Sequence, residues 1–140
     1  VRRGDWIVGR ELGDTGIRID YPADMTLEFR DSSGYWLAYL VRPDGKEIMV
    51  SLDDKTSATS IIEWADQQTW PFGEWHGRMQ ETIINGLPTL YGRFDNNTRA
   101  IVYIKSGDAI YSFENGVGMD NSGSLPPELF ESIVRSVSFR

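Results

Sequence analysis

The chain has no cysteine, which removes disulfides, thiolate metal sites and cysteine nucleophiles together. It has one histidine, His76. A histidine base needs a nucleophile and an orienting carboxylate, and zinc needs two or three further nitrogen or sulfur donors. One imidazole supplies neither set. Positive charge is also scarce: 14 Lys and Arg stand against 21 Asp and Glu, a net charge of −7. Nucleic-acid binding rests on clustered cations that neutralise phosphates, and Arg2-Arg3 is the nearest thing to such a cluster. No nucleic-acid partner is expected, while a cationic protein or a small ligand is permitted. No stretch reaches the roughly 18 apolar residues of a membrane span, so membrane contact would run through a tether outside this chain.

Chemical signatures are equally sparse. There is no G-x-S-x-G elbow and no phosphate-binding G-x-x-x-x-G-K-[ST]. The runs "DNNT" and "DNSG" lack the alternating ligands and closing glutamate of a calcium loop, and read as turns. No catalytic residue, metal or cofactor is assigned, and an enzyme is the less favoured reading. Paired carboxylates of the glycosidase kind are a matter of spatial distance, which sequence does not fix.

What is present describes a packed domain. With 140 residues, 40% hydrophobic and 12% aromatic, a globule buries roughly 68–70% of its unfolded surface and needs no staples. The chain opens on Val1, which fits either a trimmed boundary or a mature domain released from an export signal or membrane anchor. Residues 1–15, rich in glycine and mixed charge, read as a lead-in or tether, and residues 16–140 as one domain.

Alternation starts at "GIRIDYP". Ile17, Ile19 and Tyr21 share one face, and Pro22 closes the strand. "MTLEFR" repeats the pattern. "YWLAYLVR" is apolar on both faces and reads as a central strand; "PDG" turns it into "KEIMVSL". The period then changes: Ile61, Trp64, Ala65 and Gln68 recur at helical spacing, Ser60 and Glu63 form a capping box, and the helix ends near Gln68 or Thr69. Strands return from about residue 76. "GRMQETII" meets Asn85-Gly86, the strongest short hairpin signal, and "LPTLYGRF", "RAIVYIK" and "AIYSFE" follow at tight spacing. "PELFESIVRSVSF" closes the chain as an amphipathic helix, with Leu129, Phe130, Ile133, Val134 and Val137 as its stripe. The expected fold is α+β: a central antiparallel sheet of six or seven strands sandwiched by helices.

The order of four segments resembles the PsbP-like superfamily: "GIRIDYP" at Gly16–Pro22, "INGLP" at Ile84–Pro88, "GDAIYSF" at Gly107–Phe113 and "FESIVRSVSF" at Phe130–Phe139. Members include an extrinsic photosystem protein, a Ran-binding import factor and bacterial envelope proteins and lipoproteins. The aromatic residue usual after "YP" is replaced here by Ala23, Asp24 and Met25. The resemblance implies an antiparallel sheet covered by helices, a binding or accessory role, and an extracytoplasmic, anchored setting in the cell envelope. Metal sites of photosynthetic members do not transfer, because no ligand set matches residue by residue.

Candidate contact residues sit in the two longest irregular segments, where loops on a rigid scaffold concentrate recognition. They are Trp70, Phe72, Trp75 and His76 after the first helix, and Met119 in the glycine-rich loop. Trp64 belongs to the helix stripe and reads as core. The expected function is non-catalytic recognition of a protein or small ligand through loops and a sheet face. The rivals are a carboxylate-based hydrolase, which needs two converging acids, and a chaperone or adaptor, which needs a contiguous exposed apolar patch.

Overall fold

The computed structural model describes residues 5–13, 16–29, 37–68, 79–94, 99–115 and 124–139. Among the described residues, ten strands and two helices run in chain order: β1 (Trp6–Glu11), β2 (Ile17–Pro22), β3 (Thr26–Phe29), β4 (Leu37–Val41), β5 (Glu47–Lys55), α1 (Ile61–Gln67), β6 (Gln80–Ile84), β7 (Leu87–Phe94), β8 (Arg99–Ser106), β9 (Ala109–Asn115), α2 (Pro127–Arg135) and β10 (Ser138–Phe139). Seven strands form one sheet in the order β3-β4-β5-β9-β8-β7-β6, and β1-β2-β10 form a second. Every ladder among them is antiparallel. The α+β expectation holds in this form, with a seven-stranded central sheet.

Alternation sorts the side chains of the large sheet into two faces. On one, Ala38, Leu40, Ile48, Val50, Ala100, Val102, Ile104 and Phe113 join the main core. Phe130, Ile133, Val134 and Val137 from α2 and its exit pack there, together with Trp6, Ile17, Ile19 and Tyr21 of the small sheet. On the other, Leu90, Ile101, Tyr103 and Ile110 receive Ile61, Trp64 and Ala65 of α1. Neighbours such as Ile101 and Val102 thus serve opposite cores. That is why β8 reads as a continuous apolar run in sequence, the mark of a strand covered on both faces.

The turns obey their chemistry. Gly45 takes φ +88° after Pro43-Asp44, and the Asp44 carboxylate accepts the Lys46 N–H at 3.1 Å. Asn85 and Gly86 take φ +50° and +81°, the two left-handed residues of a type I′ hairpin.

Three expectations need correction. The first fifteen residues are not irregular throughout, because they contain β1, paired with β2. Its pattern is hidden by a register shift between Ile7 and Arg10, where Gly9 adopts φ +67° and gives its N–H to the Asp20 carboxylate at 2.8 Å. Second, the closing amphipathic segment is helix only to Arg135; Ser138 and Phe139 pair with Arg18 and Ile17. Ser136 ends the helix, its hydroxyl donating to the Ile133 carbonyl and accepting the Asp20 N–H at 2.8 Å. Third, the capping box of α1 is split. Ser60 accepts the Glu63 N–H at 3.0 Å, as expected, but the Glu63 carboxylate reaches past Ser60 to the N–H and hydroxyl of Thr59. Those bonds hold its carboxyl below the ordinary value, the hydroxyl contributing most.

Candidate functional site

Among the described residues, α1 covers only part of its face of the large sheet. α1 lies over β7, β8 and β9 through Leu90, Ile101, Tyr103 and Ile110. Two cross-strand rows run on from there toward β3. One passes through Ile101, Glu114, Met49, Tyr39 and Glu28, and the next through Tyr103, Ser112 and Ser51. Tyr39, Met49 and Glu114 are half-buried and Glu28 is exposed. The Tyr39 hydroxyl meets the Met49 sulfur at 3.5 Å. Beside them on the same face, the buried hydroxyls of Ser51 and Ser112 share a hydrogen bond of 2.6 Å. A sheet face that is polar, serine-lined and half open differs from the apolar packing on either side of it.

A backbone irregularity builds the end of this surface nearest α1. Leu52 pairs with Tyr111 and Asp54 with Ile110, so Asp53 is an extra residue in β5. Such a bulge re-aims side chains at a sheet surface. Asp54 accepts the indole N–H of Trp64 at 2.8 Å. Trp64 in turn stacks at a tilt on Tyr103, with ring centroids 5.3 Å apart. Burial pushes the Tyr103 phenol well above its ordinary value, and the charges of Asp53 and then Glu114 push it further. Two carboxylates on different strands therefore act on one neutral phenol. Asp53 itself reaches solvent, yet the protein around it removes enough hydration to raise its carboxyl above 3.8, and Asp54 adds to that.

The folded state consequently holds the Asp53 proton more tightly than the unfolded chain does. Ionising Asp53 opposes folding by an amount that grows as pH rises from 3.8 through the raised folded value and is complete above it. Asp53→Asn is expected to be more stable than the parent at pH 7 and to match it near ~pH 3, below the usual carboxylate range. Urea midpoints at the two pH values check this; a variant weaker at pH 7 would contradict it.

No family model matches the chain, and no curated protein matches it. Among the described residues, no group of three His, Cys, Asp or Glu is arranged to hold a metal ion. No helix among them is long and apolar enough to cross a membrane.

Trp70, Phe72, Trp75, His76 and Met119, the residues singled out from sequence, lie outside the described residues. Trp64 is 1% exposed and belongs to the second core, as its helical spacing predicted. Sequence reasoning missed Asp53, Glu114 and Tyr103 as a group. In sequence the adjacent pair Asp53-Asp54 has the composition of a turn, and nothing local announces that Glu114, on the neighbouring strand β9, lies near enough to act on the same phenol. A shallow groove lined by Glu81, Thr82, Ile83, Gly86 and Pro88 lies at the β6 edge, with β7, β8 and β9 between it and β5.

Proposed function

We propose that the chain is a non-catalytic binding domain of the PsbP-like type, displayed outside the cytoplasm on a tether. It recognises a cationic, partly apolar segment of a protein partner on the open half of the α1 face. The observation that carries this reading is the β5 bulge, which sets Asp53 and Asp54 in succession beside a surface of Tyr39, Met49 and Glu114. Tyrosine and methionine give adaptable apolar contact at low ordering cost. The carboxylates steer and select positive charge, in keeping with the net charge of −7. Asp53 carries its charge against a penalty from burial and from the neighbouring Asp54 charge, which a cationic partner would relieve.

The PsbP-like assignment draws support from the antiparallel sheet, the helices on its opposite faces, and the pairing of the closing Ser138-Phe139 with the "GIRIDYP" strand. The extracytoplasmic setting rests on the resemblance alone.

Titration of isotope-labelled protein with a short amphipathic Lys/Leu peptide tests the reading. Salt-sensitive shifts are expected to centre on Tyr39, Met49 and Glu114. The double variant Asp53→Asn/Glu114→Gln should weaken binding by roughly 1–2 kcal/mol, the scale of partly exposed charge contacts. Shifts spread evenly over all acidic residues would reject the site.

The carboxylate-hydrolase reading has one observation in its favour. Burial, and then the charge of Asp54, raise the Asp53 carboxyl above its ordinary value, the direction a proton-donating acid needs. Turnover of aryl glycosides that Asp53→Asn abolishes would favour it over binding. The chaperone reading has less. The exposed large apolar residues among those described are Val8, Phe29 and Ile83, and the strands of Phe29 and Ile83 are opposite edges of the sheet.

A further inference from the structure

The sequence contains two Asn-Gly dipeptides, Asn85-Gly86 and Asn115-Gly116. This pair is the most prone of all to spontaneous deamidation, because glycine leaves its own backbone nitrogen open to attack the preceding side chain. Both asparagine amides are engaged in hydrogen bonds to backbone groups distant in sequence. The Asn85 amide nitrogen donates to the carbonyls of Arg135, at 3.1 Å, and of Val137, which bracket the end of α2. The Asn115 amide pairs with Leu125 in both directions, donating to its carbonyl at 3.0 Å and accepting its N–H at 2.7 Å. They differ in exposure: Asn115 is fully buried and Asn85 lies open at the hairpin tip.

We propose that Asn85 is a deamidation site gated by the fold, and that its conversion loosens the α2–β10 closure. In the reaction the Gly86 nitrogen, having lost its proton to base, attacks the Asn85 side-chain carbonyl carbon. A carbon–nitrogen bond forms, and the side-chain nitrogen leaves as ammonia. Water then opens the five-membered imide at either carbonyl, giving aspartate or isoaspartate. Attack requires the side-chain carbonyl to turn back onto its own backbone, and the bonds from the amide nitrogen to the Arg135 and Val137 carbonyls tie the side chain elsewhere. The site therefore reacts through the opened state, in proportion to how often the hairpin lets go.

The product cannot restore the grip. A carboxylate has no N–H to donate, and it sets negative charge against two carbonyls at the negative end of a helix dipole. What it releases is the segment that carries Phe130, Ile133, Val134 and Val137 into the core and zips Ser138-Phe139 to β2. Asn115 is the internal reference. It has the same reactive dipeptide in a buried clamp, so it is held far more firmly.

The test follows both dipeptides in the full chain at mildly alkaline pH, by proteolysis and mass spectrometry that separates isoaspartate from aspartate. In denaturant the two sites should convert at similar rates. In the native protein Asn85 should slow by roughly tenfold or more, the factor that ~1.4 kcal/mol of protection gives, and Asn115 should slow further still. Equal native and denatured rates at Asn85 would overturn the gate. The consequence is read separately: Asn85→Asp is expected to raise amide hydrogen exchange across residues 127–139 above that of the parent, with exchange in β4 and β5 unchanged. Parental exchange at 127–139 would overturn the loosening, and a variant that fails to fold leaves the gate decided by the unmodified chain.

Discussion

Trp64→Ala is expected to cost about 3–5 kcal/mol, the range for emptying a buried large aromatic site. The side chain is 1% exposed between Ile61, Ala65 and the sheet, and α1 is only seven residues long. A helix of that length is marginal by itself and persists through what its apolar face buries. Removing Trp64 therefore takes away most of the reason for α1 to stay on the sheet, and uncovers Tyr103. Trp64→Phe separates packing from hydrogen bonding. It keeps an aromatic ring over Tyr103 but drops the N–H bond to Asp54, and should cost near the low end of the about 1.5–3 kcal/mol given for bonds to charged groups. Urea denaturation followed by circular dichroism checks both. An Ala variant within about 1 kcal/mol of the parent would show that α1 is held by something other than this packing.

Asn115→Ala is expected to cost about 2–6 kcal/mol, because it orphans two backbone groups at once, at about 1–3 kcal/mol each. Asn115 is fully buried at the end of β9, opposite Ile48 and Ala100. Its amide imitates one rung of a β-ladder for Leu125, which is itself 1% exposed. Truncation leaves the Leu125 N–H and carbonyl without these bonds in a dry setting, and frees the approach to α2. Asn115→Asp sharpens the point. The carboxylate still accepts the N–H but faces the carbonyl, so this variant should be weaker at pH 7 than at about pH 4, where a buried acid regains its proton. Thermal melts of both variants at the two pH values test this. An Asp variant that gains stability with rising pH would refute the burial argument.

Much of the fold is legible because its signals are local. Ile17, Ile19 and Tyr21 alternate with polar residues and are all buried as that pattern requires. Asn85-Gly86 makes its turn with the dihedral angles that the pair favours. Phe130, Ile133 and Val134 recur at helical spacing and face the core. The misreadings arise where distant contacts override local preference. β1 was hidden because Gly9 breaks its alternation and is capped by Asp20, eleven positions away. Val137, Ser138 and Phe139 continue the apolar stripe of α2 as far as period alone can tell. They leave the helix because Ser136 bonds to Asp20 and β2 offers a free ladder.

The acidic surface was the least legible element, for a related reason. Asp53-Asp54 has the composition of a turn and forms a strand bulge, since β9 holds β5 on either side of the irregularity. The sequence by itself determined where both described helices and eight of the ten strands begin, all but β1 and β10, which face of each is apolar, and that the chain is short of positive charge and of the side chains that do covalent chemistry. Tertiary structure alone decided the pairing order, the division of the apolar residues between two cores, and the meeting of Asp53, Glu114 and Tyr103. Propensity and periodicity act within a few residues of chain, whereas burial and Coulomb's law act through space and take no account of how many residues lie between.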